Sequence, residues 1–160
     1  KSYRRGIEWV VDYAPDKHWA FNLNGAWMQT NVDRFINGTG EVFTDVEHIF
    51  APDWNLNAAL SYQPLDRIGI TVRGRYLSES YMELSNDEDF ALPEVFFIDA
   101  QLDVDFSEHI RLSFFLNNIF DELYFTDGAP VDADFDGTID GPGFRVQPPR
   151  NAFIQLRINL

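Results

Sequence analysis

The chain has 160 residues, with 26 acidic against 12 basic side chains and a formal net charge of −14, a balance that argues against nucleic acid as a partner. It holds no cysteine, which excludes a disulfide framework and thiolate chemistry. No apolar run reaches the ~18 residues of a membrane helix, yet 16 % of the residues are aromatic and need an environment.

Lys1-Ser2-Tyr3-Arg4-Arg5 leads straight into a strand pattern, which reads as an internal start rather than a signal peptide. The first predicted strand, residues 2–13, sets Ile7, Trp9, Val11 and Tyr13 against Gly6, Glu8, Val10 and Asp12. Ala14-Pro15-Asp16-Lys17-His18 is a tight connection. The second strand alternates Trp19, Phe21, Leu23, Gly25 and Trp27 with Ala20, Asn22, Asn24, Ala26 and Met28. A long polar stretch, about residues 31–51, follows. The third strand alternates Trp54, Leu56, Ala58, Leu60 and Tyr62 with Asn55, Asn57, Ala59, Ser61 and Gln63, and Pro64-Leu65-Asp66 turns the chain. The fourth alternates Ile68, Ile70, Val72, Gly74 and Tyr76 with Gly69, Thr71, Arg73, Arg75 and Leu77. After a second long stretch, residues 79–94, the fifth places Ile98, Ala100, Leu102, Val104 and Phe106 opposite Asp99, Gln101, Asp103 and Asp105. Ser107-Glu108-His109 leads to the sixth, Ile110, Leu112, Phe114 and Leu116 opposite Arg111, Ser113, Phe115 and Asn117. The longest connection, residues 121–149, precedes the last strand, in which Ala152, Ile154, Leu156, Ile158 and Leu160 share one face.

Two regularities choose the architecture. Charged residues form 24 % of the chain, yet none stands in an apolar row; the opposite rows carry Glu8, Asp12, Arg73, Arg75, Asp99, Asp103, Asp105, Arg111 and Arg157. One face meets a wholly apolar medium and the other a polar filling. Leu56, Leu60, Val72, Leu112 and Ile154 are therefore expected to face lipid, and Asn57, Arg73, Arg75, Asp103 and Arg157 a lumen. Connections also alternate short and long, as in outer-membrane barrels, and the strands are long enough to cross the hydrocarbon when tilted. Tyr13, Trp19, Tyr62 and Phe106 lie beside the short turns, and Tyr3, Trp27, Trp54 and Tyr76 near the long loops. Trp19 and Trp27 are eight residues apart, ~26 Å at strand rise, which matches an apolar band of ~25 Å between two aromatic girdles. The expected fold is an all-β, antiparallel transmembrane β-barrel. Seven strands is an odd number, whereas bacterial single-chain barrels have even numbers. Residues 1–160 are accordingly expected to form the C-terminal part of one larger barrel domain, or one chain of a split one.

Four segments carry a family resemblance. Arg5-Gly6-Ile7-Glu8, Phe97-Ile98-Asp99-Ala100-Gln101-Leu102, Leu116-Asn117-Asn118-Ile119-Phe120-Asp121-Glu122-Leu123-Tyr124, and Pro149-Arg150 before the alternating terminus resemble the C-terminal barrel region of TonB-dependent outer-membrane receptors. The third is similar to the family's Asn-Leu-Phe-Asp-x-x-Tyr signature. Where the family usually ends on Phe, this chain has Leu160. The resemblance implies seven C-terminal strands of a barrel of about 22, with the plug domain and earlier strands outside this chain. It implies outer-membrane lipid, the rest of the barrel and its plug, the inner-membrane TonB complex and a nutrient ligand as partners. The ligand would be an iron chelate, cobalamin or an oligosaccharide. No catalytic residue is implied.

The competing reading is a soluble secreted acidic β-sandwich with its polar loops as a binding surface; independence of detergent would favour it. An enzyme is not indicated, because His18, His48 and His109 are scattered without partner spacing and no catalytic motif occurs. One loop has metal chemistry. Asp132, Asp134, Asp136, Gly137 and Asp140 match positions 1, 3, 5, 6 and 9 of an EF-hand calcium loop, with the Thr138 carbonyl at position 7. Position 12 is Gly143 where a bidentate Glu belongs, so another carboxylate such as Asp127, or waters, would finish the shell. The expected Ca²⁺ ligands are Asp132, Asp134, Asp136, Thr138 and Asp140; the plain alternative is a solvated acidic loop.

Overall fold

The computed structural model describes residues 1–159; Leu160, expected on the apolar face, lies outside them. In chain order the strands are β1 (Ser2–Tyr13), β2 (Trp19–Ile36), β3 (Val42–Val46), β4 (Trp54–Leu65), β5 (Ile68–Leu77), β6 (Ser80–Tyr81), β7 (Ala91–Leu92), β8 (Val95–Ser107), β9 (Ile110–Asn117), β10 (Phe125–Val131), β11 (Gly141–Val146) and β12 (Asn151–Ile158). Among the described residues one 3-10 turn, Glu88–Phe90, occurs, and it precedes β7. The seven long strands form one antiparallel meander in the order β1-β2-β4-β5-β8-β9-β12, with β3 beside the upper part of β2. Among the described residues the sheet does not close: β1 and β12 each keep one unpaired edge.

Register keeps the two faces apart across the whole sheet. Tyr13, Phe21, Leu60, Val72, Ala100, Leu116 and Ala152 stand in one cross-strand row. Trp19, Tyr62, Ile70, Leu102, Phe114 and Ile154 form the next row on the same face. On the other face Asp12, Asn22, Ala59, Arg73 and Asp99 align. A slip of one residue in any pair would send charges or side-chain amides into the apolar row, so the pattern itself fixes the register.

The burial is that of a membrane wall. Ile7 is 63 % exposed, Ile154 65 % and Leu156 58 %. Within the described residues the buried apolar side chains are Val46, Ala51, Met82, Leu92 and Val95, all at the long-loop end. The apolar face thus has no protein partner here, as a lipid-facing surface requires. Both aromatic levels assemble across strands. Trp19 stacks on Tyr62 at 4.1 Å, and Trp54 meets Trp9 at 6.2 Å and Trp27 at 6.5 Å. Gly6, in the Arg5-Gly6-Ile7-Glu8 segment, lets β1 approach β2, because a Cβ there would lie 2.3 Å from the Trp27 carbonyl oxygen.

All three long connections carry strand pairs, the second of them β6 with β7. Residues 31–51 are not simply loop: β2 runs to Ile36 and returns as β3, with Arg34 opposite Thr44 and Ile36 opposite Val42. The hairpin turns through residues 37–41, with the Gly40 amide donating to the Asn37 carbonyl at 3.0 Å and Gly40 at φ +88°, and the Asn37 carboxamide oxygen accepts from the amides of Thr39 at 3.1 Å and Glu41 at 2.9 Å. Residues 121–149 likewise contain a hairpin, β10 with β11, carrying the acidic loop at its tip.

Candidate functional site

Two surfaces have the chemistry of a binding site: the packed long loops and the polar face of the sheet. The loops interlock. Asn86, at φ +54°, donates to the Glu47 carbonyl at 3.2 Å, and its carboxamide oxygen accepts the Glu47 amide in return. Phe50 donates its amide to Tyr81 O at 2.8 Å, joining the first long loop to the second. Met82 packs on Gly128 of the third, where a Cβ would come within 2.3 Å of its sulfur. Burial, followed by the nearby Asp53 and Glu79 charges, pushes the Glu47 carboxyl above its usual range. Aromatic pairs brace the two hairpins, Phe35 on Phe43 at 6.3 Å and Phe125 on Phe144 at 4.5 Å.

In the acidic loop, carboxylate oxygens of Asp132, Asp134 and Asp136 lie within 4.8 Å of one another. Backbone amides gather them: Asp136 N donates to Asp132 Oδ1 at 3.1 Å and to Asp134 Oδ1 at 3.2 Å, and Gly137 N to Asp132 Oδ2 at 2.8 Å. Gly137 takes φ +94°, the left-handed turn expected of it. The Thr138 hydroxyl and amide both donate to Asp136 Oδ1, which holds that carboxyl below its usual range. Asp140 turns aside and accepts the Ala133 amide at 2.7 Å, closing the loop's neck. Asp127, a candidate to finish the shell, pairs with Arg145 across the hairpin at 3.3 Å in this structure. Phe135, between two of the aspartates, is 91 % exposed at φ +62°.

The polar face is wired laterally. Asn22 donates to Asp12 at 2.6 Å, Asn24 to Asn22 at 2.9 Å and Asn57 to Asn24 at 3.2 Å. Arg75 donates to Asn57 at 3.0 Å and Arg73 to Gln101 at 3.0 Å. Gln101 and Ser113 both donate to Asp103, and Arg111 grips Asp105 at 2.6 and 2.9 Å.

The segment from Asn117 to Tyr124, a sequence motif without an evident task, proves to be a corner. Asn118 is 3 % exposed and sits at φ +50°. Its amide donates to Asp99 Oδ1 at 2.8 Å, and its side chain exchanges two bonds with the Glu122 backbone at 2.8 and 3.0 Å. Asp121 Oδ1 accepts the Arg150 amide at 2.7 Å just before β12, and Tyr124 stacks on Phe97 of β8 at 4.9 Å. One motif therefore joins β8, the exit of β9 and the approach to β12.

The histidines do separate structural work. His18 Nδ1 lies 2.7 Å from Gln63 O, His109 is 3.5 Å from Glu108, and the His48 amide donates to Thr30 Oγ1 at 3.0 Å.

A family model described as "TonB dependent receptor-like, beta-barrel" matches residues 1–119. No curated protein matches the chain. Among solved structures, the chain is similar to the siderophore receptor PiuA from Acinetobacter baumannii, with 14 % identity, TM-score 0.77, and coverage of 97 % of this chain and 21 % of that one. It is similar to the ferric yersiniabactin uptake receptor FyuA from Yersinia pestis, with 16 % identity, TM-score 0.77, and coverage of 98 % and 23 %. It is also similar to the ferric citrate transporter FecA in its unliganded form, with 17 % identity, TM-score 0.76, and coverage of 98 % and 24 %. The chain thus spans about a quarter or less of the length of these structures.

Proposed function

Since the chain belongs to the β-barrel family of TonB-dependent receptors, a family of outer-membrane transporters and receptors rather than enzymes, we propose that it forms part of a receptor that captures and imports a scarce, bulky nutrient. An iron chelate is the ligand class we favour over cobalamin or an oligosaccharide, because the similar structures include a siderophore receptor, a ferric yersiniabactin receptor and a ferric citrate transporter. The observation that carries the reading is the separation of faces: an outer wall without charge between the Trp19 and Trp27 levels, a hydrogen-bonded polar lumen, and loops packed at one end. A soluble sandwich would bury its apolar face, which here stays open. The loops would form the ligand's entrance, a plug domain would fill the lumen, and the inner-membrane TonB complex would supply energy. Deleting the whole receptor should abolish growth on the cognate iron chelate as sole iron source, and restored growth should depend on the TonB complex. Unchanged growth on every ferric chelate tried, with uptake of another nutrient lost, would overturn the choice of ligand class.

The acidic loop is proposed as a weak Ca²⁺ site. Three carboxylates already face one another and are held by amides, and Gly137 supplies the turn that could bring the Thr138 carbonyl round. Asp140 would have to leave the Ala133 amide to join them, and water would stand in for a twelfth-position Glu. Hard Ca²⁺ prefers such oxygen sets, with affinities of about 10⁻⁴–10⁻³ M in extracellular modules. Calorimetry on the intact receptor should show calcium heat at millimolar ion that vanishes in the Asp134→Ala, Asp136→Ala double variant. Equal heat in both, or none in either, refutes the site.

A further inference from the structure

We propose that Arg5, with Tyr3 and Asn31 beside it, binds the phosphate of an outer-leaflet lipid headgroup at the long-loop rim of the outer wall; this site is independent of which nutrient the loops receive. β1 and β2 pair without a break from Ser2 opposite Val32 to Tyr13 opposite Phe21, so side-chain alternation holds along both strands. Ile7, Arg5 and Tyr3 therefore share the outward face, with Trp27, Gln29 and Asn31 opposite them. Along β1 from the short turn, Arg5 is the first charge on this face. It stands one outward position beyond Ile7 and the Trp27 girdle, ~7 Å further along the strand. The hydrocarbon ends near the girdle, and the headgroup layer adds roughly 5–7 Å on each side. A tilted strand thus brings the Arg5 guanidinium to the level of the lipid phosphates.

The guanidinium is already oriented. Its Nε and Nη2 donate to Gln29 Oε1 at 3.0 and 2.6 Å, and its central carbon lies 5.5 Å from the Tyr3 ring centroid. Both partners are neutral, and the hydrogen bonds leave Nη1 free. Among the described residues Arg5 forms no ion pair. The one carboxylate of β2 is Asp33, four residues beyond Gln29 and ~13 Å away along the strand. Glu8 falls on the lumen face. A charge with lipid on one side and no carboxylate beside it takes its counter-charge from the membrane. A guanidinium matches phosphate through paired N–H donors, and the Asn31 carboxamide, opposite Tyr3, offers a further donor. Tyr3, 44 % exposed, has the amphipathic ring favoured at this depth. With a formal charge of −14 the chain as a whole repels anionic lipid, so retention at this rim has to be local.

The test uses the full-length receptor in detergent, with native mass spectrometry reading the lipid retained after incubation with lipid A or with its dephosphorylated form. Heat-dependent electrophoretic mobility checks folding of each variant. The wild type should retain lipid A severalfold better than the dephosphorylated form. Arg5→Gln should lose that preference. Arg4→Gln, which removes the same charge from the adjacent, lumen-facing residue, should keep it. Equal retention of the two lipids by the wild type overturns the site whatever the variants do. A wild-type preference in Arg5→Gln overturns it as well. Equal losses in Arg4→Gln and Arg5→Gln also overturn it, since they would reflect overall charge rather than a local contact.

Discussion

Val72→Arg should destabilise the folded barrel in lipid by ~2–4 kcal/mol, whereas Thr71→Arg, one residue away, should cost much less. Val72 is the middle residue of the outward row of β5, between Ile70 and Gly74, and stands opposite Leu60 and Ala100. An arginine there would have to hold its charge near the midplane with no partner, at a cost that snorkelling lowers but does not remove. Thr71 faces the lumen, where its hydroxyl lies 3.2 Å from Ser61 and its register partner is Gln101. The next lumen-facing position already carries Arg73. The measurement is a denaturant titration of the full-length receptor folded into lipid vesicles. Ser113 would serve less well as the lumen control, because it is buried with its hydroxyl on Asp103. Equal losses for the two arginines would remove the basis for assigning either face.

Asn118→Ala should cost roughly 1–3 kcal/mol, since it deletes the two hydrogen bonds that the buried Asn118 side chain makes with the backbone of the exposed Glu122. It also places an alanine at φ +50°, a conformation Asn tolerates better. Asn118→Gly separates the two contributions: the backbone is relieved while the bonds are still lost. If bonding dominates, Gly should remain within about 1 kcal/mol of Ala. Asn118→Asp should fall between these and the wild type, keeping the acceptor for the Glu122 amide but turning a carboxylate toward its carbonyl. The readouts are denaturant stability and the yield of folded receptor in the outer membrane. A glycine variant as stable as the wild type would show that backbone conformation alone matters at this corner.

Face assignment was legible in the sequence because it follows from covalent geometry. Successive side chains on a strand point to opposite sides, so a row without charges identifies the lipid face before any pairing is known. The two aromatic levels were legible for the same reason. The hairpin of β2 and β3 had a turn signal in Asn37-Gly38-Thr39-Gly40, but Asp33-Arg34 and Phe35-Ile36 break the period-two alternation before it, so the strand's extension was obscured. The acidic loop's spacing was visible in the chain, and so was the turn at Gly137. Its chemistry was less so: Asp127 satisfies Arg145 and Asp140 satisfies the Ala133 amide, competitors that only the folded hairpin brings near. The corner at Asn118 was visible as a motif but not as a mechanism, since its partners Asp99 and Arg150 lie on other strands. The loop contacts were hidden altogether. Glu47 meets Asn86 and Met82 meets Gly128 across dozens of residues, and no local periodicity encodes such pairs. Strand faces are set by each residue's own backbone, whereas loop packing depends on what other segments already hold, and only the tertiary structure decides that.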